Sequence, residues 1–141
     1  MMASRSADVF GRRARWIWPD DRRRDYHRYV EAGDVLHLTD EQCEQAQRQG
    51  ATLRLTAESM YLAQINGVVL GHGPSKAAAG QYFVDTYDVT RHLKPGDNHL
   101  NVIVLSLGAG HVSHVAGDAG LIFELEAADQ HLCSGSQTRM R

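Results

Sequence analysis

Leu53-Arg54-Leu55-Thr56-Ala57, followed by Met60-Tyr61-Leu62-Ala63-Gln64-Ile65-Asn66-Gly67-Val68-Val69-Leu70, decides the fold class. In the first run Leu53, Leu55 and Ala57 alternate with Thr52, Arg54 and Thr56, the period of two expected of a half-buried strand. The second run is two apolar segments around Asn66-Gly67. Both central residues of a tight hairpin turn need positive φ, which Asn and Gly accept at least cost. Upstream, Thr39-Asp40-Glu41-Gln42 has the form of a capping box and predicts a polar helix over 40–49, stopped at Gly50. Only Cys43 and Ala46, three apart on one face, are available to touch a core. Before it, Tyr26, Arg28 and Val30 alternate with His27 and Tyr29 as a first strand, broken at Gly33-Asp34 and resumed over 35–38. Downstream come a loop over 71–80, an aromatic strand over 81–87, and one helical turn capped by Asp88 and pinned by Val89 and Leu93. A tight turn over 94–98 leads into residues 99–107, apolar on both faces, the pattern of a strand covered on both sides. A glycine-rich loop over 108–120, a strand over 121–127 and a last short strand over 131–134 complete the chain. Short strands at turn-punctuated spacing predict an all-β fold, an antiparallel β-sandwich or jelly roll with one or two helical turns. Leu53, Leu55, Ile65, Val68, Val89, Leu93, Val102, Val104, Ile122 and Leu125 are its expected interior.

The 141 residues suit one domain. A chain of this length buries enough surface to fold without disulfide or metal. We expect residues 1–14 to be a flexible arm and 15–141 a single sandwich domain, truncated at its C-terminal end. Cys43 and Cys133 read as two thiols of a reducing compartment rather than a bridge. Residues 1–28 hold no continuous apolar run of the kind a secretory signal needs, so the expected location is cytoplasmic. No run is long enough to span a bilayer. The first 28 residues carry eight arginines and four aspartates, read as a solvated arm with internal Arg–Asp pairing. The remainder is acidic and lacks a basic motif interleaved with aromatics, so neither nucleic acid nor membrane is an expected partner. An unpaired strand edge left by truncation would allow pairing with a second copy.

Asn66-Gly67, then Asp85-Thr86-Tyr87-Asp88-Val89-Thr90, Leu93, Pro95-Gly96, Asn98 and Val102, together resemble the galactose-binding-like β-sandwich modules that accompany glycoside hydrolases. The run from Ala57 to Pro74 and the opening Ala14-Arg15-Trp16-Ile17-Trp18 are similar to the N-terminal domain of bacterial α-L-rhamnosidases. The resemblance covers about residues 14–135. It implies an accessory module whose parent enzyme inverts its substrate with two carboxylates on a separate helical barrel domain. This chain ends at Arg141, before any such barrel, so the resemblance carries over no catalytic residue. The expected function is a non-catalytic accessory module of an α-L-rhamnosidase-like hydrolase, packing on its catalytic domain or positioning carbohydrate for it. The alternative is a free-standing carbohydrate-binding protein.

Trp16, Trp18, Tyr82 and Tyr87 are the candidate sugar platforms, since an apolar sugar face stacks on an aromatic ring, and Asp85 is the carboxylate placed to accept from hydroxyls. The competing reading is that the two tryptophans staple the arm to the sandwich and the tyrosines fill strand faces. Glu124 and Glu126, two apart on one strand face, have the spacing of a general acid/base pair about 7 Å apart, but a solvated strand face is favoured. His111, His114 and Asp118 could ligate a transition metal, but a polar loop is favoured, and neither metal nor cofactor is expected. Nucleophile elbow, phosphate-binding loop and dinucleotide fingerprint are absent.

Overall fold

The computed structural model describes residues 2–4, 10–11, 13–20, 27–74, 82–107 and 120–141. The strands are β1 (Met2–Ser4), β2 (Arg28–Leu38), β3 (Ala51–Glu58), β4 (Met60–Ile65), β5 (Val68–Gly73), β6 (Tyr82–Asp88), β7 (Gly96–Ser106), β8 (Gly120–Ala127), β9 (Gln130–Cys133) and β10 (Arg139–Met140), with helix α1 (Asp40–Gln49) and a 3-10 turn at Thr90–His92. They form two five-stranded sheets. Sheet A has the order β1-β6-β3-β8-β9, and sheet B the order β10-β2-β7-β4-β5. Neighbours within each sheet are antiparallel. The fold is an all-β sandwich.

Alternation along the strands fills the space between the sheets. Leu53, Leu55 and Ala57 of β3 and Leu121, Phe123 and Leu125 of β8 meet Ala63 and Ile65 of β4 and Leu100, Val102 and Val104 of β7, all buried. Helix α1 closes one end. Thr39 Oγ1 accepts from Gln42 N at 3.1 Å while Gln42 Oε1 accepts from Thr39 N at 2.8 Å, so both halves of the capping box form. Cys43 and Ala46 are its buried residues.

Several boundaries differ from the sequence reading. Gly33-Asp34 does not break β2, because all eleven of its residues pair with β7, and an antiparallel ladder tolerates a glycine whose neighbours are all paired. Strand β7 begins at Gly96, not residue 99, for the same reason. Of the expected interior, Val68 is 45% exposed at the hairpin end. Ile122 is buried, but on the outer face of sheet A beneath Phe10, Ala14 and Val84. The stretch read as a loose arm supplies β1, which pairs with β6, and the buried Phe10 and Ala14. The C-terminal tail turns back as β10 onto β2. Cys43 and Cys133 are both free thiols.

Glu58, at the end of β3, gives the fold a pH dependence. Burial pushes its carboxyl up to about 7 from an ordinary 4.5, against a smaller opposing effect of a hydrogen bond with Ser59. The folded state therefore holds this proton more tightly than the unfolded chain does. The contribution of Glu58 to stability is most favourable below pH 4.5 and falls as pH rises, and its penalty is complete above about pH 7. Discounted for partial exposure, the penalty is about 1 kcal/mol. Thermal melts should show Glu58→Gln matching the wild type at pH 4.5 and melting a few degrees higher at pH 8, by roughly 3 °C. Equal melting temperatures at pH 8 would contradict this account of Glu58.

Candidate functional site

The segment 13–20 crosses sheet A and lies against the tail. Ile17 bridges Leu121 through backbone bonds of 2.9 and 3.1 Å. Arg15 N donates to Ser134 O at 2.9 Å, and the buried Ser134 hydroxyl returns the contact to Arg15 O at 2.6 Å. Ser134 also ties itself to β8, accepting from Phe123 N at 3.1 Å. This clasp places two indoles beside the tail. Trp16 packs against the cluster of Phe10, Ala14, Val84 and Ile122, as Cys133 also does. Gly120 is required beneath it, since a Cβ there would lie 2.9 Å from Trp16 Cε3. Trp18 packs against the edge of the main core, with the Arg28 guanidinium 5.7 Å from its ring centroid and Arg28 itself gripped by both carboxylate oxygens of Asp20 at 2.8 Å.

Together these chain segments form a groove of about 420 Å³, walled by Arg15, Trp16, Trp18, Ser136, Thr138 and Met140. The indole N–H of Trp18 is buried and has no acceptor among the described residues. Half-exposed aromatic faces beside hydroxyls and a guanidinium suit a ligand with an apolar face and a polar rim. The tryptophans were legible as candidates. Ser136, Thr138 and Met140 were not, because residues some 120 positions away leave no local signal of the contact.

Asp85 and Tyr87 come together elsewhere. Both lie on the inward side of β6, opposite Leu55 and Leu53 of β3, whereas Trp16 packs on the outer side of that sheet with Val84. The Tyr61 hydroxyl donates to Asp85 Oδ2 and lies 2.9 Å from the Tyr87 hydroxyl. Asp85 is 5% exposed and lies under Gly73, while Tyr87 lies under Gly71. Asp85 thus accepts from a buried phenol inside the sandwich, so it and Tyr87 stand apart from the tryptophan groove. Burial raises the pKa of both phenols, Tyr61 by far the more, with the bond to Asp85 adding to the effect on Tyr61. Tyr61 escaped the sequence reading, its only signal being inward parity on β4. Of Tyr82, only its place at the start of β6 is described.

Glu124 and Glu126 share the outer face of sheet A with Arg54, which bonds Glu126 at 2.5 Å and Glu124 at 3.5 Å. Glu124 is buried and also accepts from Gly11 N at 2.6 Å. A hydrogen bond with Glu124, and then Arg54, hold Glu126 below the usual carboxylate range. Ligand atoms of Glu124, Glu126 and His131 lie within 4.8 Å of one another, closer than the expected 7 Å or so and too close for an inverting pair, which needs roughly 6.5–9.5 Å. The single Arg54 guanidinium already bonds both carboxylates and offsets one of their two charges. His111, His114 and Asp118 lie outside the described residues. No helix among the described residues is long and apolar enough to cross a membrane.

No protein-family model matches the chain, and no curated protein matches it by sequence. Solved structures do. A GH78 family rhamnosidase of Bacillus sp. GL1 matches at TM-score 0.82 and 27% identity, over 92% of this chain and 13% of that enzyme. The α-L-rhamnosidase of Streptomyces avermitilis, solved with L-rhamnose, matches at TM-score 0.65 and 19% identity, over 91% of this chain and 12% of that one. A lectin from Pleurotus ostreatus, solved with GalNAc, matches at TM-score 0.60 and 18% identity, over 90% of this chain and 34% of the lectin. The chain spans about an eighth of the rhamnosidases it matches and has the fold of one small domain of those enzymes.

Proposed function

We propose that this chain is a non-catalytic accessory module of an α-L-rhamnosidase-like glycoside hydrolase, and that it positions carbohydrate for a catalytic domain through the groove between Trp16, Trp18 and the tail. The observation that carries this reading is the match over 92% of the chain to 13% of the Bacillus rhamnosidase. The groove supports the binding half, with two half-exposed indoles beside the hydroxyls of Ser136 and Thr138. The state of Glu124 and Glu126 supports the non-catalytic half. An acid and a base must stand apart with a water between them, and here Arg54 clamps both. A free-standing carbohydrate-binding protein is the second reading, favoured by the same groove and by the sandwich shared with the lectin.

Titration of L-rhamnose, galactose and GalNAc against tryptophan fluorescence tests the groove. We expect saturable quenching by at least one sugar with a Kd on the order of 1 mM. Ser136→Arg, which fills the groove and keeps both indoles, should abolish it. Flat titrations with all three sugars would remove the binding role. Hydrolysis of an aryl rhamnoside by the wild type that is lost in Glu124→Gln would overturn the non-catalytic reading.

A further inference from the structure

The sequence of β7 is apolar on both faces, yet among the described residues the sandwich covers only one of them. Val102 and Val104 point into the core, while Ile103 and Leu105 point outward from sheet B and are half-buried. Register sets their neighbours. Tyr29, Leu105 and Met60 form one cross-strand row, and Glu31, Ile103 and Leu62 the next. Tyr29 is 69% and Met60 45% exposed. The outer face of sheet A presents Thr52, Arg54 and Thr86, and Glu124 and Glu126, at comparable positions. A sheet facing water on one side normally alternates apolar and polar residues. Sheet A's outer face is either polar or, at Val84 and Ile122, roofed by Phe10 and Ala14, whereas the apolar rows of sheet B have no such cover among the described residues.

We propose that the outer face of sheet B is a self-association surface, on which a second copy of this chain docks face to face about a two-fold axis. With the axis parallel to the strands, a two-fold contact brings each row against its own kind, which a neutral row tolerates and a charged one does not. Among these six residues the charged one is Glu31; beyond Leu62 the second row continues to the exposed His72 of β5. Glu31 stands at the β2 end of its row, where Asn101 donates to it at 3.0 Å and the exposed Arg141 lies 3.7 Å away, so the rim carries both signs and the centre carries none. Sheets pack flat at about 10 Å separation, each presenting such a face. Three to four strands about 4.8 Å apart, crossed by two or three rows, cover roughly 300 Å² in projection and about twice that with side-chain relief. A standard interface buries about 800 Å² per partner. The area therefore supports a weak, concentration-dependent dimer. The sheet's edges fit a partner less well. Strand β5 is bulged opposite Ala63/Gln64, and β10 is two residues long; bulges and short edges are the devices that discourage strand addition.

The proposal stands independently of the sugar reading. Sedimentation velocity from about 5 to about 500 µM should show the mass rising from 15.7 kDa toward twice that value. Sulfate should increase the dimer fraction, because it strengthens apolar burial. The double variant Tyr29→Glu/Met60→Glu, at two exposed positions the fold can spare, should remain at the mass of one chain throughout with an unchanged circular-dichroism spectrum. Val68→Lys, at the hairpin end, should leave the dimer intact. A wild type that keeps the mass of one chain at the highest concentration overturns the proposal. So does a dimer indifferent to the double variant, or one lost on Val68→Lys alone.

Discussion

Asn98→Ala should lower the melting temperature by about 10 °C, corresponding to roughly 3 kcal/mol. Asn98 is 1% exposed, and its whole amide is used. Its Oδ1 accepts from Lys94 N at 2.9 Å and from Asn66 Nδ2 at 2.9 Å. Its Nδ2 faces the carbonyls of Lys94, Gly96 and Leu36 at 2.8, 3.2 and 3.3 Å. Asn66 continues the network, donating to His92 O at 2.8 Å and accepting from His99 N at 2.9 Å. Two asparagines thus lash the 3-10 turn, the β4–β5 hairpin and the start of β7 together. Truncation leaves several buried polar groups without partners, each costing about 1 kcal/mol or more. Asn98→Asp separates this account from a simple loss of volume. It keeps the shape but turns the donor that faces three carbonyls into an acceptor, and it buries a charge. It should destabilise at least as much as alanine at pH 7 and recover partly in acid, where the protonated carboxyl regains one donor. Melting within 1 °C or so of the wild type in both variants would refute the network's role.

This network shows what local sequence can and cannot tell. The hairpin at Asn66-Gly67 is legible because the turn needs positive φ at both residues, and they adopt 49° and 81°. That the Asn66 side chain reaches across 32 positions to Asn98 is not legible, since nothing periodic marks it. Period two placed Leu53, Leu55, Val102 and Val104 inside, and there the structure agrees. Residue type puts Ile122 inside, although period two gives it the outward parity of Glu124 and Glu126; the structure follows parity and buries it on the outer face beneath Phe10 and Ala14. The capping box at Thr39 was legible in full, because all its partners lie within four residues. In the candidate site, residue type alone marked Trp16 and Trp18 as candidates. The other wall of the groove is folded in from the tail, a contact only tertiary structure discloses. Asp85 has the chemistry of a sugar ligand and the parity of an inward residue. Parity decides, since position 85 pairs with Leu55 across the sheet.

Gly73→Ala should be the most damaging of the conservative glycine substitutions, for a reason rooted in that inward-facing aspartate. A Cβ at Gly73 would clash with Asp85 Oδ2 and lie 3.1 Å from the Tyr61 hydroxyl; at Gly71 it would lie 2.7 Å from the Tyr87 hydroxyl. The obstructing atoms belong to a hydrogen-bonded cluster inside the sandwich, so they cannot swing into solvent. Either the backbone of β5 shifts or the bond between Tyr61 and Asp85 breaks, and overpacking combined with a lost charge-assisted bond costs about 3 kcal/mol or more. Other glycines calibrate the effect. Gly67 has open space but a φ of 81°, so alanine there should cost about 1 kcal/mol. Gly33 meets nothing closer than 3.9 Å, and alanine there should be nearly neutral. Chemical denaturation should therefore rank the alanine variants Gly73, Gly71, Gly67, Gly33, from most to least destabilised. A double-mutant cycle identifies the cause. Asp85→Ala removes the carboxylate that Gly73→Ala strikes, so the double variant should be more stable than the sum of the two single losses by at least 1 kcal/mol or so. Simple additivity would mean that the strain lies in the backbone of β5 and not in the Asp85 contact.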